Sequence, residues 1–134
     1  MTEHSAAAVE FRVGDRLENL AVLRTVVGAV GLFYDLDLDS VADLRLAVDE
    51  ACTGLIRSAA PEATLVVVVD PREDVVVVQA STRCVTDDVL VADSLSWHVL
   101  SALTDEVQTF QNGNSDGGRV FGITLTTRRA GSSR

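Results

Sequence analysis

Two runs of β-branched residues, separated by a short turn, constrain the fold of this 134-residue chain most strongly. Thr64–Asp70 and Val75–Ala80 are rich in valine, and Pro71–Asp74 between them has the composition of a turn. Continuous apolar runs of this kind are typical of strands that are covered on at least one face. The pair therefore predicts a β-hairpin packed against another layer.

The remaining elements follow from hydrophobic periodicity. Apolar and polar residues alternate over 9–13, which predicts a strand, and apolar residues at helical spacing predict a helix over 17–33. Ser40 and Asp43 resemble a capping box, so we predict that a second helix starts at Ser40 after an acidic loop over 35–39. The other predicted segments are a loop over 82–93, a short helix from Trp97 to about Asp105, and a hairpin of Val107–Phe110 with Val120–Thr126 across a turn at 112–118.

The predicted element order is β-α-α-β-β-α-β-β. This order favours an α+β fold, a two-layer α/β sandwich with a mixed, mainly antiparallel sheet and helices on one face. No stretch between the elements is long enough to separate two domains. We predict one domain over 9–127, flanked by disordered tails at 1–8 and 128–134.

Charge narrows the classes of function. All 11 basic residues are arginine, and 20 acidic residues bring the net charge to −9. The absence of lysine excludes a P-loop lysine and a Schiff-base lysine. A field this negative repels phosphate backbones, so we expect no direct nucleic-acid binding and favour a basic protein partner instead.

The sequence also predicts where the chain acts. No run approaches the roughly 18 apolar residues of a membrane-spanning helix, and residues 1–10 lack the pattern of a signal peptide. We therefore expect a cytoplasmic protein that does not contact the membrane. Cys52 and Cys84 lack the spacing of metal ligands, so we expect no metal site, and a reducing compartment disfavours a disulfide between them.

One helical segment, Leu46–Ile56, carries the residues of most interest. Glu50 lies at a helix edge beside an apolar face, four residues before Gly54. From the residues alone, Glu50 is either a solvated surface carboxylate or a functional one, and Gly54 is a position of close packing.

Four segments of the sequence match a known family. They are Glu18–Arg24, Ala47–Thr53, Thr104–Val107 and Gly122–Leu125. In these segments the chain resembles the bacterial anti-sigma factors of the RsbW and SpoIIAB type, which have a histidine-kinase-like ATPase domain, and most of all the actinobacterial RsbW type that holds SigF. The resemblance extends over Val9–Thr127.

The resemblance implies ATP and magnesium as cofactors and Glu50 as the general base of a serine protein kinase. Three nucleotide-binding elements differ from the family pattern, however. Gly54 stands where the family has a magnesium-binding asparagine, Ser81–Thr86 replaces the Asp-x-Gly-x-Gly box, and Ser94–Trp97 replaces the glycine-rich phosphate loop. Glycine offers no oxygen to a hard cation, and Cβ atoms crowd a phosphate cradle. We therefore expect that ordinary Mg-ATP binding is weakened or lost.

The resemblance also implies partners. Arg24 stands at the position that contacts the sigma factor and its antagonist in the family, although a helix arginine can also simply cover apolar surface. The expected function is sequestration of a SigF-type sigma factor away from RNA polymerase, reversed by an anti-anti-sigma factor, with the chain acting as a homodimer. The alternatives are an active kinase that phosphorylates this antagonist, nucleotide binding without turnover, and a scaffold for another partner.

Overall fold

The described part of the chain folds as a five-stranded antiparallel sheet with three α-helices packed on one face. The computed structural model describes residues 7–86, 88–115 and 118–130. The predicted α+β two-layer sandwich and its element order are confirmed. Every strand pair in the described part of the chain is antiparallel, so the sheet is not mixed.

The elements follow one another in the order in which the sequence predicts them. The strand order across the sheet is β1-β2-β3-β5-β4. A short 3-10 turn at Leu17–Asn19 leads into the first helix. The bounds are β1 Val9–Gly14, α1 Leu20–Phe33, α2 Leu38–Ser58, β2 Thr64–Pro71, β3 Val75–Cys84, α3 Leu95–Leu103, β4 Glu106–Ser115 and β5 Gly118–Arg128.

The valine-rich hairpin of β2 and β3 lies in the interior of the sheet, between β1 and β5. Alternate residues of each strand point toward the helices, because successive side chains of a strand lie on opposite faces. In β2 and β3 these inward residues are Leu65, Val67, Val69, Val76, Val78 and Ala80, all buried. They form one core with the apolar faces of the three helices.

The second helix begins two residues earlier than predicted. Asp37, not Ser40, is its N-cap: the Asp37 Oδ1 accepts a hydrogen bond of 2.7 Å from the Ser40 backbone N–H. Both residue types cap helices well, and the carboxylate three residues before Ser40 supplies the acceptor that the first turn requires. Leu38 and Asp39 therefore belong to α2 and not to the predicted acidic loop.

The strands are longer than predicted. β3 continues to Cys84, so the predicted loop over 82–93 begins only after that residue. The last two strands likewise extend into the predicted turn at 112–118, of which residues 116 and 117 lie outside the described residues. Antiparallel pairing with β5 supplies hydrogen-bond partners for residues whose own sequence favours no strand.

At the termini, β5 runs through Arg128, and Arg129 and Ala130 still make backbone hydrogen bonds, to Asp74 and Asp35. The rest of the predicted tails, residues 1–6 and 131–134, lies outside the described residues. None of the described helices combines the length and the apolar character that crossing a membrane demands.

Candidate functional site

Helix α2 carries the residues that the sequence singles out. Its buried side consists of small and apolar residues, which are Val41, Leu44, Ala47, Val48, Ala51, Cys52, Leu55 and Ile56. The next positions around the helix are half-buried and form its rim, which includes Asp49, Glu50, Thr53 and Gly54. The 3.6-residue period therefore places a narrow polar rim directly beside the core.

Glu50 is held by the third helix. The Ser96 hydroxyl donates a hydrogen bond of 2.6 Å to the Glu50 Oε2. Ser96 lies in the first turn of α3, where Ser94 is the N-cap and accepts a hydrogen bond from the Trp97 backbone N–H. The segment that replaces the family's phosphate loop is thus the start of a helix, and it is bonded to the carboxylate that the family uses as a base.

Gly54 lies one turn after Glu50, next to the segment that precedes α3. A Cβ at Gly54 would lie 3.8 Å from the Val89 carbonyl oxygen, so this position faces a backbone carbonyl. The glycine supplies no oxygen ligand, and Mg²⁺ requires oxygen ligands in octahedral geometry. No cluster of three or more His, Cys, Asp or Glu side chains suited to a metal occurs in the described ranges.

The segment that replaces the Asp-x-Gly-x-Gly box lies mostly within strand β3. Ser81 to Cys84 continue β3 and pair with β5, and the Thr86 hydroxyl donates a hydrogen bond to the Asp88 carboxylate. The family's box needs glycines because the backbone approaches the nucleotide closely, whereas a paired strand holds its backbone within the sheet. The residues around Glu50 therefore do not fit an ordinary Mg-ATP site.

Arg24 lies on α1, facing the rim of α2. Its Nη1 lies 2.5 Å from the Asp49 Oδ1, and the two side chains are 37% and 34% exposed. An ion pair this accessible is screened by solvent, so it contributes little to stability. Its guanidinium has five N–H donors, and the bond to Asp49 uses Nη1 alone, which leaves Arg24 able to contact a partner.

The two cysteines are free thiols in the core. Burial raises the pKa of the Cys52 thiol to about 12, and the charge of Asp49 adds to the effect. Burial also raises the pKa of the Cys84 thiol. Because the thiolate is the reactive form, neither cysteine has the chemistry of a nucleophile.

The structure thus brings Glu50 together with the start of α3 and Gly54 together with the segment before α3. It places Arg24 beside Asp49, the residue that precedes Glu50 on α2. Sequence reasoning missed Asp49 as the partner of Arg24 and missed the bond from Ser96 to Glu50. Asp49 is adjacent to Glu50, but nothing local to it signals a contact with a residue 25 positions earlier. In the sequence, Ser96 stands out only as part of the Ser94–Trp97 segment that replaces the phosphate loop.

Comparison with known proteins gives two close relatives. No family model matches the chain. Both relatives are described as anti-sigma-F factor RsbW, from Mycobacterium tuberculosis strains CDC 1551 / Oshkosh and ATCC 25618 / H37Rv. Each is 64% identical to this chain over 134 aligned residues, which cover 98% of this chain and 80% of the relative. The similarity therefore includes all three helices and the whole sheet.

Proposed function

The chain belongs to the RsbW family of anti-sigma factors, and on that basis we propose that it binds a SigF-type sigma factor and keeps it from RNA polymerase. The observation that carries the proposal is the 64% identity to two anti-sigma-F factors over nearly the whole chain. Function by sequestration requires a binding surface and no chemical step. It also requires that the chain act in the cytoplasm, where RNA polymerase is.

The charge of the chain supports this proposal. A net charge of −9 complements a partner that binds DNA through basic surface, and it speeds the encounter between the two proteins. Arg24 adds a local contact of opposite sign, since its side chain is 37% exposed on α1. Arginine is among the residue types that most often dominate the energy of an interface.

We further propose that sequestration does not depend on Mg-ATP. Gly54 provides no magnesium ligand, and the Glu50 carboxylate accepts a hydrogen bond from Ser96. A nucleotide that does not bind one conformation more tightly than another cannot shift the equilibrium between them. The sigma-bound state must then be stable by protein contacts alone.

The kinase alternative has weaker support. Glu50 is present, but its Oε2 accepts a hydrogen bond from Ser96, whereas a general base needs to be within reach of the proton of the attacking hydroxyl. Incubation of the chain with radiolabelled Mg-ATP and an anti-anti-sigma factor tests the point. We expect no transfer, whereas transfer that is abolished in Glu50→Ala would establish the kinase.

Release of the sigma factor requires a competitor, because no nucleotide cycle is available to drive it. We propose that an anti-anti-sigma factor binds a surface that overlaps the sigma site at Arg24, and that the chain acts as a homodimer, as the family resemblance implies. Sedimentation of the purified chain tests the dimer, and displacement of bound sigma factor by the antagonist tests the overlap.

The direct test of sequestration is retention of the sigma factor on the immobilised chain at about 150 mM salt, a concentration that screens weak surface charge interactions. We expect retention by the wild type and at least about tenfold weaker binding by Arg24→Ala. Arg16→Ala is the matched control, because Arg16 is also an arginine with a carboxylate partner, Glu18, and is 71% exposed. Failure of the wild-type chain to retain the sigma factor would refute the proposal.

A further inference from the structure

A groove between α1 and α2 extends from Arg24 along α2. Arg24, Ala42, Arg45 and Leu46 line it, and its volume is about 370 Å³. The three α2 residues share one stripe of the helix with Asp49, because positions 42, 45, 46 and 49 are spaced i, i+3, i+4 and i+7. The groove is therefore a continuous surface shared by the two helices.

The two arginines of this groove differ in their charge balance. Arg24 is paired with Asp49 at 2.5 Å. Arg45 has neither an ion pair nor a hydrogen bond to any other described residue. Two guanidinium groups and one carboxylate leave one positive charge without a partner, in a chain whose net charge is −9. The groove thus has the opposite sign to the molecule as a whole.

Packing holds Arg45 at the groove. A Cβ at Gly28 of α1 would lie 2.8 Å from the Arg45 Cδ and 3.3 Å from its Cγ, so the aliphatic stem of Arg45 lies on the backbone of α1. This contact removes part of the rotamer freedom of the side chain before any partner arrives, which reduces the entropy lost on binding. Leu46 beside it is 57% exposed and offers apolar surface.

We propose that this groove binds one carboxylate side chain of a protein partner, with Arg45 and the remaining N–H donors of Arg24 bonded to the carboxylate. Leu46 packs against an apolar residue next to that carboxylate in the partner. Hydrogen bonds between a guanidinium and a carboxylate are strong and directional, so the pair fixes the register of the partner on α1 and α2. The inference rests on the proposed function, which makes the sigma factor the partner.

The test measures the dissociation constant of the SigF-type sigma factor by calorimetry for the wild type, Arg45→Ala and Arg57→Ala. Arg57 is the matched control, since it is an exposed α2 arginine that has no side-chain partner among the described residues. We expect Arg45→Ala to weaken binding about tenfold or more and Arg57→Ala to change it less than about twofold. The affinity of Arg45→Ala should also depend less on salt between about 50 mM and about 300 mM.

Gly28→Ala provides a second variant that keeps every charge. The added methyl displaces the stem of Arg45, so we expect weaker binding with unchanged thermal stability of the fold, and circular dichroism checks that each variant is folded. Binding by Arg45→Ala at wild-type affinity, or an equal loss in Arg57→Ala, overturns the role of the groove and leaves the anti-sigma function standing. No binding by the wild-type chain would instead overturn the anti-sigma function, and the groove proposal with it.

Discussion

Glu50 and Arg24 lie on neighbouring parts of the same helix pair, but their surroundings suit them to different tasks. The Glu50 carboxylate accepts a hydrogen bond from the Ser96 hydroxyl at the start of α3. Arg24 has its carboxylate neighbour on α2 and remains accessible from solvent. Binding through Arg24 needs no rearrangement of α3, whereas the Glu50 Oε2 is already hydrogen-bonded to Ser96 of α3. At the scale of single residues, the structure therefore supports recognition better than catalysis.

The two buried thiols give a prediction about their chemical reactivity. With the pKa of Cys52 raised to about 12 by burial, only about one thiol in ten thousand is ionised at pH 8. We expect that neither Cys52 nor Cys84 reacts with Ellman's reagent in the native chain at that pH, and that both react at once in about 6 M guanidinium chloride. Rapid labelling of the native chain would contradict the buried, protonated state.

The raised pKa of Cys52 also fixes the sign of a pH effect. The folded state keeps this thiol protonated, so its contribution to stability is present below the ordinary pKa of 9.0 and is lost as the pH rises toward about 12. Any redox response of the chain would then depend on unfolding and not on an exposed switch.

Among the elements, the last hairpin is held by a contact that leaves no room for a side chain. The ring of Phe110 on β4 lies over Gly122 on β5, where a Cβ would come within 2.0 Å of the ring Cζ. We expect Gly122→Ala to displace the ring and to lower the free energy of unfolding by about 1 to 3 kcal/mol, measured by urea denaturation. Gly14→Ala is the control, since its Cβ would have an ordinary contact of 3.8 Å. Equal stability of Gly122→Ala and the wild type would contradict the contact.

The cap of α2 gives a pH-dependent prediction. Hydrogen bonds from Ser40 lower the pKa of Asp37 below its ordinary 3.8, so the cap stabilises the fold above that pH and is lost as the pH falls through the lower folded value. Asp37→Asn keeps an oxygen acceptor but does not titrate. We expect the difference in Tm between wild type and Asp37→Asn to narrow below about pH 4, with Asp39→Asn as the control. A difference that is constant with pH would contradict this role of Asp37.

These elements also show which features of the fold could be predicted from the sequence. The valine-rich hairpin follows from local composition, because β-branched runs and a proline turn leave few alternatives. The start of α2 was wrong by two residues because Asp37 and Ser40 are both good caps, and only the folded helix decides between them. The bond from Ser96 to Glu50 joins residues 46 positions apart, and no periodicity in either segment contains that information.

At the scale of the whole molecule, the end of the chain ties the two layers together. The Arg129 side chain donates to the Arg72 carbonyl at 2.7 Å and pairs with Asp35 at 3.1 Å. Arg72 follows β2 and Asp35 follows α1, so one residue after β5 links the sheet to the helical layer. The fold therefore continues beyond the last strand.

We expect Arg129→Ala to lower the free energy of unfolding by about 1 kcal/mol, because the hydrogen bond to the Arg72 carbonyl and the ion pair with the exposed Asp35 are lost. Arg128→Ala is the control, since the Arg128 side chain has no ion pair or hydrogen bond with another described residue, and a change within about 0.5 kcal/mol is expected. Urea denaturation monitors both. A neutral Arg129→Ala would mean that this link contributes nothing to the fold.

The central claim is that this chain sequesters a sigma factor through protein contacts without help from Mg-ATP. Calorimetric titration of the purified chain with a SigF-type sigma factor, with and without Mg-ATP, tests it most directly. We expect the sigma factor to bind in both titrations, with dissociation constants that agree within about threefold. If Mg-ATP does not bind the chain, it cannot shift the equilibrium between the free and the sigma-bound chain. Absence of binding in both titrations, or binding only when Mg-ATP is present, would contradict it.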